Sequence, residues 1–240
     1  MADLLTSLIT YHDFESDAGG VYSDSSAGGK DLTIVGATHG AGIFGNGPTF
    51  DGVNDALTRT NALSGGLQPG SGDFSVSIWG TGGAGTAQLI LCGTAAGAGV
   101  LGWAIHKGGI DASEIFDIHD GVTRLDNEVT GAPWTGGLLK HIVAVVDRTA
   151  GFTRIYRGGV LISSKAIPGG FGSINNTNRF TIGASASDTA FWDGKADRFG
   201  AWGRVLTATE VQFLYNGGNG LSFSELRSRV GGNLIALGVL

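Results

Sequence analysis

The chain has 240 residues, of which 42% are hydrophobic and 15% charged, enough apolar material for a packed core and too little charge for a disordered chain. Its net charge of −6, with no basic run anywhere, excludes the clustered Lys and Arg that nucleic-acid binding needs. The single cysteine, Cys92, excludes an internal disulfide and reads as a buried, inert thiol.

Glycine is abundant, at 44 residues, but glycine and proline together stay below the share typical of low-complexity sequence. Glycine therefore marks turns between many short strands. Residues 1–14 lack a basic start and a long apolar stretch, so no secretory signal is expected and synthesis is placed in the cytosol. No run reaches the ~18 apolar residues of a membrane span.

Along the chain, Ser7–Tyr11 is the first strand-like run. A turn at Asp24–Gly28 leads to Leu32 and Thr33, and Phe50-Asp51-Gly52 precedes another short strand. Phe74–Trp79 alternates cleanly, with Phe74, Val76 and Ile78 assigned to the core and Ser75, Ser77 and Trp79 to the other face. Thr81–Ala87 and Ala95–Gly99 read as small-residue loops. Ile142–Val146 is apolar at every position, as in a central strand covered on both faces. The turn at Asp147–Gly151 and the pair Gly158-Gly159 then define two hairpins, joining Phe152–Arg157 to Val160–Ile162. Phe180–Ile182 and Asp197–Trp202 are further strands.

Helices are expected only near the end. Thr207 and Glu210 have capping-box spacing, Val211, Leu214 and Tyr215 share a face, and Gly217 stands at the C-terminal cap. Ser222 and Glu225 repeat the box, followed by an apolar stripe of Phe223, Leu226 and Val230 that ends at Gly231-Gly232. The expected fold is an all-β, two-sheet antiparallel jelly roll with two short C-terminal helices. Residues 1–221 form the domain, and residues 222–240 form a short helix and an apolar tail suited to docking.

Taken in order, these segments resemble the laminin G-like and pentraxin-like domains of the concanavalin A-like superfamily. The resemblance is strongest at Trp192-Asp193-Gly194, Asp197-Arg198-Phe199, Arg204–Thr207 and Glu210–Tyr215, which look like the family's closing strand and helix. The run Leu214–Leu221 is similar to endings of phage-borne members.

Paired carboxylates are the chemistry a glycosidase of this superfamily would need. Glu114 and Asp117 are the near match, but they differ by an odd number and face opposite ways in a strand, whereas Asp117 and His119 share a face. No catalytic residue is assigned. The resemblance implies calcium held by loop oxygens, with Asp51, Asn54, Asp55, Asp193 and Asp197 as donors, although turns also use Asp to bond their own backbone. Trp134 and Trp192 are the candidate sugar-stacking rings. The tail 233–240 is nearly all apolar, so Leu234, Ile235, Leu237, Val239 and Leu240 are expected to dock on another protein.

An adhesion-like domain without a signal or disulfide is expected to be a virion structural protein. It would be made in host cytoplasm and would attach to other virion proteins or identical subunits, with surface glycans as a further partner. A glycan-binding adhesin and a glycosidase are the alternatives.

Overall fold

A computed structural model describes residues 3–26, 28–60, 66–82, 89–96, 99–108, 113–131 and 138–236. In chain order the strands are Leu8–His12 (β1), Val21–Tyr22 (β2), Leu32–Val35 (β3), Thr38–Ala41 (β4), Asn46–Asp51 (β5), Ala56–Arg59 (β6), Phe74–Thr81 (β7) and Leu89–Gly93 (β8). They continue with Gly102–Lys107 (β9), Glu114–His119 (β10), Arg124–Val129 (β11), Leu139–Asp147 (β12), Phe152–Arg157 (β13), Val160–Ala166 (β14), Phe180–Ile182 (β15) and Asp193–Trp202 (β16). Two helices follow, Ala208–Tyr215 (α1) and Phe223–Ala236 (α2).

All strand pairs are antiparallel. One sheet has the order β14-β13-β12-β7-β16-β5-β4, with β1 beside the second half of β16, and the other has the order β11-β10-β9-β8-β15-β6-β3-β2. The architecture is the expected all-β sandwich with two C-terminal helices. Among the described residues no helix is long and apolar enough to cross a membrane.

The core between the sheets follows from strand alternation. Phe74, Val76 and Ile78 on β7 meet Trp103 and Ile105 on β9 and Phe116 and Ile118 on β10, all nearly sealed from water. Cys92 belongs to this core, and burial raises its thiol above the ordinary range. The other face of the first sheet is buried too. Val143, Val145, Tyr156 and Trp202 on that face are roofed by Leu206, Val211, Leu214 and Leu226, which is why β12 is apolar at consecutive positions.

Both helices begin as the residue spacing predicts. Thr207 accepts from the Glu210 N–H and the Glu210 carboxylate accepts from the Thr207 N–H. Ser222 and Glu225 exchange the same pair of bonds. The second helix differs from expectation at its far end, since it continues through Gly231-Gly232 to Ala236. Each glycine costs a helix only about 1 kcal/mol relative to alanine, so a glycine pair weakens a helix without forcing it to stop.

Candidate ligand-binding cleft

A cleft of about 280 Å³ opens where the β13–β14 hairpin meets the end of α1, lined by Trp79, Leu139, Lys140, His141, Arg157, Gly158, Tyr215 and Gly218. Its position follows from local structure. Gly158 and Gly159 have φ of 55° and 81°, the left-handed conformation that a two-residue hairpin requires. A Cβ on Gly159 would lie 3.3 Å from the Tyr215 side chain, so glycine also lets the hairpin abut the helix. Tyr215 is the last residue of α1, which Asn216 terminates in a left-handed conformation at φ 49°.

The rings form one nearly parallel group. His141 stacks on Trp79 at 4.7 Å between centroids, and Tyr215 lies 5.7 Å from Trp79 and 5.9 Å from His141, with interplanar angles of 24°, 13° and 18°. Trp79 and His141 are buried, whereas Tyr215 is half-buried and Leu139 exposed. The Nε2 of His141 is 2.9 Å from the Ser77 hydroxyl, while its Nδ1 is buried with no hydrogen-bond partner. Burial pushes the imidazole down to about 3, so it is neutral at ordinary pH.

Beside the rings lies a charge cluster that joins the two sheets. Glu114 on β10 accepts from Lys140 Nζ through Oε1 at 2.7 Å and from Arg157 Nε through Oε2 at 2.9 Å. Arg157 Nη2 is also 2.9 Å from Oε2. Burial draws the Lys140 ammonium below its ordinary value, an effect its bond to Glu114 opposes. A pocket of aromatic and apolar walls with a few fixed polar groups is the usual form of a ligand site.

Asp117 points to the opposite face of β10. There its Oδ2 accepts from the Gly99 N–H at 2.7 Å and from Arg124 Nε at 3.1 Å, with His106 Nε2 at 3.8 Å. Glu114 and Asp117 therefore cannot flank one glycosidic bond. His119 accepts from the Gly121 N–H in the following turn.

The residues expected from sequence as site residues are not brought together. Trp192 cannot stack a sugar: it is fully buried in the inter-sheet core and its Nε1 donates to the Thr81 carbonyl at 3.0 Å. Trp134 lies outside the described residues. The five calcium donors separate into two groups. Asp51 and Asp55 hold their own loop, Asp55 Oδ2 accepting from the Asp51 N–H at 2.9 Å and Asp51 Oδ1 from the Val53 N–H at 2.8 Å. Asn54 is exposed, and Asp193 faces Asp51 across the β5–β16 pair.

Asp197 is four residues further along β16, about 13 Å away by strand rise. It is fully buried and accepts from the Ile43, Phe44 and Arg198 N–H groups. Calcium takes roughly six to eight oxygens. Among the described residues no three acidic, His or Cys side chains converge to hold a metal, so this donor set does not fit a calcium shell. Of the tail residues, Leu234 and Ile235 lie on the backbone of α2, and Leu237, Val239 and Leu240 lie outside the described residues.

The cleft residues Leu139, Lys140, His141 and Arg157 escaped sequence reasoning. The available signal was polar: Lys140-His141 interrupts the approach to an apolar strand, and Arg157 directly precedes the glycine pair.

Comparison with known proteins agrees with the fold. A family model described as the Concanavalin A-like lectin/glucanases superfamily matches residues 51–212. Domain 4 of AbnA, a GH43 extracellular arabinanase from Geobacillus stearothermophilus solved with arabinotriose, superposes with a TM-score of 0.68 at 16% identity, covering 86% of this chain and 97% of that one. The binding domain of Paraclostridial Mosquitocidal Protein 1 gives 0.67 at 18% identity, covering 88% and 52%. The binding domain of Botulinum Neurotoxin DC in complex with SialylT gives 0.63 at 14% identity, also covering 88% and 52%. This chain thus spans about half the length of each toxin domain. No match to a curated protein reaches significance. With residues 51–212 matched by one family and folded as this sandwich, the chain belongs to the concanavalin A-like lectin/glucanases superfamily.

Proposed function

We propose that the chain is a glycan-binding module whose ligand lies in the cleft between the Gly158-Gly159 hairpin and Tyr215. The observation that carries this reading is the lining itself: a half-buried tyrosine and an exposed leucine beside buried Trp79 and His141, next to cations fixed by Glu114. An aromatic ring suits the apolar face of a sugar, and fixed polar groups suit its hydroxyls. The similar arabinanase domain solved with arabinotriose and the toxin binding domain solved with SialylT support a carbohydrate ligand for this architecture.

Among the described residues the cleft presents no pair of carboxylates across an open bond-cleaving position, and binding rather than hydrolysis is the activity this lining supports. A virion setting, in which the same surface would hold particles to cell-surface or mucus glycans, accords with this reading and rests on the sequence resemblance.

A glycan array probed with the full chain and with Tyr215→Ala tests the proposal. Binding to a defined subset of glycans, lost in the variant while its thermal melt is kept, is expected. Absence of binding to any glycan, or equal binding by both proteins, overturns it.

A further inference from the structure

The cleft carries a charge opposite to that of the chain around it. The chain as a whole is at −6, yet among the described residues the cleft lining contains Lys140 and Arg157 and neither Asp nor Glu. The neighbouring carboxylate, Glu114, is only 2% exposed and already engaged by both cations. Two cations thus share that one carboxylate, and His141, neutral at ordinary pH, adds no charge.

The guanidinium is held so that it can be used again. Arg157 spends Nε and Nη2 on Glu114, its side chain is 32% exposed, and its Nη1 has no hydrogen-bond partner among the described residues. The edge formed by Nη1 and Nη2 is a planar two-donor fork, which matches the two oxygens of a carboxylate better than it matches a lone hydroxyl. His141 Nδ1 is buried without a hydrogen-bond partner, so the ring serves the cleft as a wall stacked against Trp79 and Tyr215.

We propose that the cleft selects saccharides bearing a carboxylate, with the outer edge of Arg157 on the carboxylate, the Lys140 charge beside it and Tyr215 against the sugar ring. This rests on the glycan-binding reading of the same cleft.

Calorimetry of the full chain with three probes tests it: an oligoglucuronate, the same oligosaccharide with its carboxylates reduced to alcohols, and a carboxylate-free oligosaccharide of equal length carrying sulfate. The acidic form should bind about ten-fold or more tightly than the reduced form, with an affinity that falls as salt is added. Arg157→Gln should abolish that preference, and Arg157→Lys, which keeps the charge without the fork, should retain part of it.

Equal binding of acidic and reduced forms, with loss of both in Tyr215→Ala, overturns the carboxylate preference and leaves glycan binding standing. Tighter binding of the sulfated probe also overturns it. Failure of all three probes together with a blank neutral-glycan array overturns both readings.

Discussion

Two buried carboxylates three residues apart on β10 stand in opposite surroundings. Glu114 has both oxygens on cations, two positive groups to one negative, and those cations line a cleft open to solvent. Asp117 shares Arg124 with Asp126, one arginine between two acids, and its Oδ1 is buried without a partner. Strand parity sends the two side chains to different faces, but the sign of the field at each is set by other strands. Lys140 and Arg157 come from the opposite sheet, whereas Arg124 and Asp126 come from the adjacent strand.

The largest expected effect falls on the Glu114 side. Glu114→Gln leaves two partly buried cations without their carboxylate and should cost about 3–5 kcal/mol in urea unfolding. A loss below about 1 kcal/mol would show that the cluster is solvated and would remove the contrast with Asp117.

Asp197 extends the comparison to a carboxylate held chiefly by backbone N–H groups. Burial pushes it from 3.8 up to about 7, although the Phe44 N–H and Arg198 oppose the shift. A folded pKa above the unfolded one means that its contribution is fully present below about pH 4 and is lost as the pH rises through 7. The stability of the native chain relative to Asp197→Asn should therefore fall across that window, by about 2–4 kcal/mol. Parallel pH curves for the two proteins would contradict the burial argument.

At the cleft wall, Gly159→Ala should cost about 1–2 kcal/mol, because alanine is strained at φ 81° and its Cβ would crowd Tyr215. Thermal melts measure the cost, and glycan affinity should drop with it. The smallest effect is expected for Asp117→Asn, about 1 kcal/mol, since an amide oxygen still accepts from Gly99 and repulsion toward Asp126 is relieved. If Asp117→Asn were more damaging than Glu114→Gln, the ranking of the two clusters would be reversed.

Much of the fold was readable because its signals are local. The alternation of Phe74–Trp79, the doubly covered run Ile142–Val146, the Gly158-Gly159 turn and both capping boxes each depend on residues within a few positions of one another. Trp192 was misplaced. It directly precedes the closing strand β16, and its indole turns into the core between the sheets, where its N–H finds the Thr81 carbonyl.

The cleft was not readable. Its residues come from β7, β12, β13 and α1, separated by as many as 136 positions between Trp79 and Tyr215, and its key carboxylate from the other sheet. The sequence alone carried strand periodicity, turn chemistry and helix starts, because backbone sterics and short-range hydrogen bonds decide them. Which polar side chains would meet, and with what net charge, was decided only when the two sheets closed and the helices covered one of them.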